Sequence, residues 1–378
     1  FQDDIDETVD FMELFYDLYG PYPFEDEKYG HCMAPFSGGM EHQTMTSQGF
    51  FNKGLTTHEL GHQWWGDHVT CASWCDIWIN EGFASYSEYL MLENLYPNQS
   101  EGHMEDVHEN VMNQTGGSVW VLDSLNENRI FSGRLTYDKG ASIIHTMRYM
   151  INDDALFFNI LRDFQVNYAD STAHGIDFKE AMENATGENF NALFEEWYFG
   201  EGYPTYSLLW QQSGDDVLIQ INHTSSKPNI TPTFTNDLDI RFIRPGIGDT
   251  LIRFDINANS NTFTVANIGA ISSSISVDPE NWIINKLGSI VQSDELGLSE
   301  PDVASEISLH PNPTAGTFQI KNLKDHAELK VYDLKGTIKK NLKISPGENI
   351  SINDLSKGTY IIEIKQSKEI KRLKIISF

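Results

Sequence analysis

The spacing of apolar residues along the chain changes near residue 203. In residues 156–164 and 190–197, apolar side chains recur every three or four positions, which predicts helices that bury one face. In residues 217–221 and 238–242 they recur at every second position, which predicts strands. The pattern therefore predicts an α+β chain, mostly helical at first and then rich in β-structure.

Turn-forming and polar segments divide this chain into parts. The Gly-Tyr-Pro of residues 202–204 separates a mostly helical domain, residues 1–203, from a small antiparallel β-domain, residues 204–287. Residues 288–305 are polar and acidic with few apolar anchors, which predicts a linker. Residues 306–378 again contain short apolar strands punctuated by glycines, which predicts a separate β-module.

Two histidines spaced four residues apart mark a candidate metal site in the helical part. His58 and His62 would lie one turn apart on the same face of a helix, where neutral imidazoles can bind one Zn²⁺. Glu59 is placed to act on a metal-bound water. A second predicted helix, residues 78–90, carries Glu81, which would complete a His₂Glu site with one open position. The pentapeptide alone also fits two core histidines, but Glu81 at this distance favours the metal site.

Composition restricts the functions that this chain can have. The hydrophobic share of 40% indicates packed cores, and no apolar run approaches the roughly 20 residues that span a bilayer. The formal net charge is −29, yet residues 306–378 hold 13 basic and 8 acidic residues, so the acidic surplus lies in the rest of the chain. Such a body repels nucleic acid and anionic membranes; it could attract cationic substrates or simply favour solubility. Three cysteines are too few for a disulfide framework, although a local bridge between Cys71 and Cys75 stays open beside buried thiols.

Several longer motifs occur in order along the helical part. They are Gly-Gly-Met-Glu at 38–41, His-Glu-Leu-Gly-His at 58–62, Asn-Glu-Gly at 80–82 and Arg-Leu-Thr-Tyr-Asp-Lys-Gly at 134–140. With these motifs, residues 1 to about 285 resemble the aminopeptidase N family of zinc metallopeptidases, the gluzincins. His42 stands where the family usually has asparagine. The resemblance also implies that a large N-terminal β-domain and the first strands of the catalytic lobe would precede Phe1.

The resemblance implies a thermolysin-like catalytic domain that binds one zinc ion per chain. The zinc ligands would be His58, His62 and Glu81. Glu59 would be the general base that takes a proton from a zinc-activated water, and Tyr137 would stabilise the oxyanion. The implied reaction is hydrolysis of the N-terminal residue from peptides.

The motif at residues 38–41 would select the amino end of the substrate. Gly38, Gly39, Met40 and Glu41 are the predicted substrate-binding residues, and the Glu41 carboxylate would pair with the α-ammonium group of a free N-terminus. The two glycines would let the backbone lie beside an extended peptide. Two alternatives stay open: a thermolysin-like zinc endopeptidase, and an inactive zinc-containing surface binding protein.

The last part of the chain carries motifs of its own. They are Leu-His-Pro-Asn-Pro at 309–313, Val-Tyr-Asp-Leu-Lys-Gly at 331–336, Leu-Ser-Lys-Gly-Thr-Tyr at 355–360 and Lys-Ile-Ile at 374–376. They resemble the C-terminal sorting domains of type IX secretion substrates, which implies a β-sandwich-like sorting domain at 306–378. The implied partner is the type IX machinery, and the implied location is outside or on the surface of a Gram-negative bacterium. A generic β-sandwich that binds glycans or a protein is the alternative.

Overall fold

The computed structural model describes residues 2–272, 274–293, 296, 307–312, 314–333, 335–366 and 369–377. The chain divides into two compact units, Phe1–Leu296 and Gly297–Phe378. Within the described ranges, none of the helices has the length and apolar character that crossing a bilayer requires. Helices and strands are mixed, as the apolar spacing predicts.

Helices fill the first two thirds of the first unit. The α-helices are α1 (Gln2–Asp6), α2 (Thr8–Tyr19), α3 (Lys53–Gly61), α4 (Trp78–Leu95), α5 (Ser100–Met112), α6 (Glu127–Ile130), α7 (Lys139–Ile151), α8 (Asp154–Asn167), α9 (Gly175–Thr186) and α10 (Asn191–Leu193). Short 3₁₀ turns cover Trp74–Asp76 and Pro97–Gln99, and π-helical turns cover Gly133–Asp138 and Phe194–Tyr198.

Strands form small sheets in both units. They are β1 (Gly30–Met33), β2 (Gly39–Met40), β3 (Met45–Gln48), β4 (Val69–Cys71), β5 (Ser171–Ala173), β6 (Pro204–Ser213), β7 (Asp216–Ser225), β8 (Asn236–Phe242), β9 (Thr250–Ile256), β10 (Ser260–Val265), β11 (Ile275–Val277), β12 (Lys286–Gln292), β13 (Ser308–His310), β14 (Thr317–Lys321), β15 (Ala327–Asp333), β16 (Ile338–Ile344), β17 (Asn349–Ser351), β18 (Gly358–Gln366) and β19 (Glu369–Ser377). The sheet beside the helices has the order β1-β3-β2, with β1 parallel and β2 antiparallel to β3.

Helix α4 lies at the centre of the first unit. It contacts α3 and α7, and Trp78, Phe83 and Tyr86 on it are completely buried. Phe83 stacks on Trp65, with ring centroids 3.8 Å apart. Thirteen of its 18 residues are buried, so its side chains are held from several directions at once.

Local capping explains the bounds of α9 and corrects one prediction. Asp177 with Glu180 resembles a capping box in the sequence, but the helix begins two residues before Asp177. His174 is the N-cap, and the Asp177 carboxylate accepts a hydrogen bond from its backbone N–H at 2.7 Å. Gly187 ends the helix in a left-handed conformation, φ +74°, which favours glycine.

Two predictions about the β-domain need correction. Its four-stranded sheet has the order β10-β7-β6-β12, and β12 runs parallel to β6, so the domain is not purely antiparallel. The predicted linker 288–305 also begins too early, because residues 288–292 belong to β12. Strand β12 is the last strand in this sheet order, and six of its seven residues are exposed. The remainder of the linker lies almost entirely outside the described residues.

The second unit consists of two antiparallel sheets around one apolar core. The sheets have the orders β13-β14-β17 and β16-β15-β18-β19. Strands β13 and β16 were not among those predicted from the sequence; five of the seven residues of β16 are exposed, so it carries no clear alternation. The core side chains are Phe318, Ile320, Leu323, Ala327, Leu329, Val331, Ile344, Ile350, Ile352, Tyr360, Ile362, Ile364 and Ile375.

Candidate metal centre and its cavity

Helix α3 presents the histidine pair. It begins after Asn52, whose side-chain oxygen accepts a hydrogen bond from the Leu55 N–H at 2.8 Å. His58 and Glu59 lie in its last turn, and His62 follows directly as the C-cap residue. The two imidazole rings are 4.9 Å apart between centroids, so both face one point as their spacing predicts.

Helix α4 brings Glu81 to the same point. Its Oε2 atom lies 3.4 Å from His58 Nε2 and 3.2 Å from His62 Nε2. All three side chains are nearly buried, with exposed fractions of 12%, 2% and 7% for His58, His62 and Glu81. Two imidazole nitrogens and one carboxylate converging in a buried place fit a zinc ion, and the ligand atoms lie within 4.8 Å of one another.

Protons compete with a metal ion for these atoms. Burial alone would lower the pKa of His62, but the Glu81 carboxylate outweighs it and raises that pKa to about 9. Burial would raise the pKa of Glu81, and the imidazoles instead hold it well below its usual range. Since a metal binds the deprotonated imidazole, metal affinity should fall as the pH is lowered.

Two further hydrogen bonds orient the histidine rings. His58 Nδ1 lies 2.9 Å from Glu88 Oε1, and His62 Nδ1 lies 3.0 Å from the Trp65 carbonyl oxygen. Both partners are acceptors, so each Nδ1 carries a proton, and in the neutral imidazole each Nε2 is then left free for a metal. Glu88 is two turns beyond Glu81 on α4, which is the sequence signal that could have revealed it.

From the sequence, Asp67 and Asn80 are candidates for hydrogen bonding to the metal ligands and orienting them. Surface or helix-capping roles are the alternatives. In the structure the Asp67 carboxylate accepts a hydrogen bond from the Gln63 side chain at 2.8 Å. The Asn80 side chain bonds the Cys71 N–H at 2.9 Å and the Thr70 hydroxyl. These two residues therefore fasten the segment between the two helices. The thiols of Cys71 and Cys75 are free.

Glu59 lines the cavity, and one of its carboxylate oxygens has no hydrogen-bond partner among the described residues. The side chain is 4% exposed, and the unpartnered oxygen is Oε2. Burial raises the pKa of Glu59 to about 7; the two histidines oppose this rise, and Glu41 and Glu81 add to it. Its carboxyl packs directly on the Gly39 backbone, where a Cβ atom would overlap the Glu59 side chain. A buried, unpaired carboxylate near neutral pKa is suited to exchanging a proton.

The Gly-Gly-Met-Glu motif forms another wall of the cavity. Gly39 and Met40 make β2, which pairs with β3 on one side only in the sheet order β1-β3-β2. Gly38 before it has φ +88°, a conformation that favours glycine. A carboxylate oxygen of Glu41 lies within 4.8 Å of the ligand atoms of Glu59 and His62.

Tyr137 lies in the π-helical turn Gly133–Asp138. Its ring stacks on that of His58, with centroids 5.8 Å apart and planes 14° apart. Burial, and then the charge of Glu81, raise the pKa of Tyr137 above its usual range, so the phenol keeps its proton and can donate a hydrogen bond. π-Helical turns are rare and often occur at functional sites, and nothing in the sequence predicts this one.

All nine predicted site residues line one cavity of about 840 Å³. Two aromatic residues that were not predicted, Trp74 and Phe131, also line this cavity, with ring centroids 5.9 Å apart. The complete lining is Gly38, Gly39, Met40, Glu41, Asn52, Gly54, Leu55, His58, Glu59, His62, Trp74, Ile77, Asn80, Glu81, Glu88, Phe131 and Tyr137.

Comparison with known proteins agrees with these motifs. The family described as "Peptidase family M1 domain" matches residues 7–197, and "Secretion system C-terminal sorting domain" matches residues 308–377. Aminopeptidase N of Lactobacillus delbrueckii subsp. lactis is 32% identical over 163 residues, which is 41% of this chain and 19% of that protein. Glutamyl aminopeptidase of Sus scrofa is 28% identical over 230 residues, 56% of this chain and 22% of that protein. The chain thus spans about a fifth of the length of the curated relatives it matches.

A solved structure shows the same fold. The crystal structure of Legionella pneumophila aminopeptidase A in complex with aspartic acid has a TM-score of 0.63 at 15% identity, covering 76% of this chain and 35% of that one. The family match to the helical domain and the sorting-domain match at the end confirm both resemblances seen in the sequence. The chain belongs to peptidase family M1, the aminopeptidase N family, and carries a C-terminal sorting domain of the type IX secretion system.

Proposed function

We propose that this chain is a secreted zinc aminopeptidase that removes the N-terminal residue from peptides. The observation that carries the proposal is the position of Glu41, whose carboxylate lies within 4.8 Å of the ligand atoms of Glu59 and His62. A carboxylate there can pair with the α-ammonium group of a peptide while the first peptide bond lies beside the metal ligands. The names of the M1 relatives support the same activity.

The metal ligands and Glu59 would act on the scissile bond. A zinc ion bound by His58, His62 and Glu81 would supply Lewis-acid activation of a water molecule and of the substrate carbonyl. The free Oε2 of Glu59 would accept the proton of the attacking water and pass it to the leaving amine. The side chain is buried beside the metal ligands, so the proton would pass between groups that are already in place.

Tyr137 would stabilise the charge that develops on the carbonyl oxygen. The phenol keeps its proton because burial and Glu81 raise its pKa, so it can donate a hydrogen bond to the oxyanion. Loss of one such donor typically costs about 10²–10³ in rate. The ring packs on His58, which fixes its distance from the metal ligands.

Strand β2 would hold the substrate backbone. It is the last strand of its sheet, so its outer edge offers N–H and C=O groups to an extended peptide. Glu41 follows this strand immediately, where it would meet the amino end of the peptide.

The alternative functions require different residues in the cavity. A thermolysin-like endopeptidase would need no carboxylate for a free amino end, and Glu41 in the cavity disfavours it. An inactive zinc-containing binding protein would need neither Glu59 nor Tyr137, and both line the cavity. We therefore retain the aminopeptidase as the proposal. The sorting-domain match at 308–377 supports export through the type IX machinery.

The test compares peptides with free and acetylated N-termini. Wild type should cleave free peptides and leave acetylated ones, because an acetylated nitrogen carries no charge for Glu41 to pair with. Glu41→Ala should lose most of this turnover while it retains its zinc. Glu101→Ala, which changes an exposed glutamate on α5, is the matched control and should behave as wild type.

Two results would count against the proposal. One is an unchanged turnover of an aminoacyl anilide by Glu41→Ala. The other is equal cleavage of the acetylated and free peptides by wild type, which would favour the endopeptidase.

A further inference from the structure

Two glycines make a direct backbone contact between α4 and α7. A Cβ atom on Gly82 would lie 3.1 Å from the Cα and 3.2 Å from the carbonyl carbon of Gly140. Conversely, a Cβ atom on Gly140 would lie 3.0 Å from the Gly82 Cα. Fewer than one in ten contacts of real Cβ atoms are this short. The atoms contacted belong to the backbone, so no side-chain rotation can move them away.

Backbone conformation does not explain these glycines. Both lie inside helices, and neither belongs to the residues with positive φ. A glycine within a helix costs about 1 kcal/mol relative to alanine. The reason for glycine at both positions is therefore the close approach of the two helices.

Each glycine is close in sequence to a residue of the cavity. Gly82 follows the metal ligand Glu81 directly on α4. Gly140 lies three residues after Tyr137, just beyond the π-helical turn that carries it. The contact thus joins the backbone of the metal ligand to the backbone of the tyrosine.

The π-helical turn is fastened on its other sides by long side chains. Arg134 donates to the carbonyl oxygens of Val111 at 2.9 Å and Gly116 at 2.7 Å. The buried Lys139 ammonium donates to the carbonyl oxygens of Gly117 at 3.0 Å and Gly200 at 3.2 Å. These hydrogen bonds hold the turn on the sides away from α4, and the Gly82–Gly140 contact is its close backbone approach to α4.

We infer that the Gly82–Gly140 contact sets the distance between Tyr137 and Glu81, which makes both glycines positioning residues for the reaction. The inference rests on the proposed role of Tyr137 in peptide hydrolysis. An added methyl group must separate the helices by several tenths of an ångström. Such a shift would move the tyrosine hydroxyl away from the oxyanion, while the two histidines at the end of α3 and Glu81 on α4 keep their own geometry.

The first test is alanine at either glycine. Gly140→Ala should lower kcat about tenfold, since a 1 Å misplacement can cost about 10²-fold and this one is smaller. KM and the zinc dissociation constant of the metal-free protein should change less than twofold. Gly82→Ala widens the same gap from the other side and serves if Gly140→Ala does not fold. Gly133→Ala lies in the same π-helical turn with no atom within 4 Å of its Cβ position, so it is the matched control and should leave kcat unchanged.

The decisive test repeats Gly140→Ala in a Tyr137→Phe background. If the glycine acts through the tyrosine hydroxyl, the alanine should cost less than twofold in that background. A full tenfold loss in both backgrounds, or a loss of zinc binding that accounts for the lower kcat, would overturn the inference. Failure of the proposed function would be visible in wild type, with free and acetylated peptides, whereas failure of this inference would be visible only in the variants.

Discussion

Replacing Glu88 should weaken metal binding although Glu88 is not a metal ligand. Its carboxylate accepts a hydrogen bond from His58 Nδ1 at 2.9 Å, which holds the ring with Nε2 towards Glu81 and His62. Without this acceptor the ring can rotate, or carry its proton on Nε2, and either change removes a ligand atom.

The expected loss follows from this hydrogen bond. A hydrogen bond to a charged group contributes about 1.5–3 kcal/mol, and every 1.4 kcal/mol corresponds to about tenfold in affinity. The Glu88 side chain is 26% exposed, so water can partly replace it, which favours the lower end of the range. We therefore expect Glu88→Ala to raise the zinc dissociation constant about tenfold. Glu88→Gln keeps an acceptor oxygen and should lose less.

The assay is a competition between the metal-free protein and a chromophoric chelator for zinc, which needs no catalysis. Glu101→Ala, at an exposed glutamate on α5, controls for the loss of one negative charge from an acidic protein. If Glu88→Ala binds zinc as tightly as wild type, the assignment of the ring-orienting role to Glu88 is wrong. If Glu101→Ala weakens binding equally, the effect is one of overall charge.

Two further predictions concern stability and export. His108 is 4% exposed, with Nε2 unpartnered among the described residues, and burial lowers its pKa to about 3. Below about pH 6.5 the unfolded chain binds a proton that the folded imidazole does not, so stability falls as the pH falls, by about 1.4 kcal/mol per unit. Urea unfolding at pH 7 and 5 should show a smaller loss in His108→Gln than in wild type or in the exposed-site control His42→Gln; equal losses would contradict this. Deleting residues 306–378 should leave the peptidase inside the producing cell, and an undiminished extracellular fraction would argue against the sorting role.

The site residues whose arrangement depends on local helix geometry could be predicted from the sequence. Histidines four residues apart share a helix face wherever the helix lies, so His58 and His62 could be paired without knowing the fold. Glu81 could be added because the pattern at residues 78–90 predicts a helix. By the same local geometry, Glu88 lies seven residues beyond Glu81 and therefore on the same face of the helix, so its place beside the site could also be predicted from the sequence.

Other features arise only from tertiary contacts. Strand β12 is mostly exposed and has no alternation of apolar and polar residues, so neither the strand nor its parallel pairing with β6 could be predicted from its sequence. The π-helical turn around Tyr137 has no characteristic sequence pattern, because the side chains that hold it donate to backbone carbonyl oxygens distant in sequence. The His62 ring is likewise oriented by a backbone carbonyl, which any residue at position 65 could supply.

The precision of the site derives from the burial of α4. This helix carries the ligand Glu81, the ring-orienting Glu88 and the contact residue Gly82, so one rigid body fixes the metal ligands and the distance to Tyr137. Charged groups on a core helix are costly to bury unless they are paired, and Glu81 and Glu88 are both paired with histidine. Because Phe83 and its neighbours hold the helix on its other sides, the buried Glu81 carboxylate cannot relax towards solvent when its partners move, whereas Glu88 stays partly open to water. A small change at Gly82 should therefore affect the site more than its own size suggests.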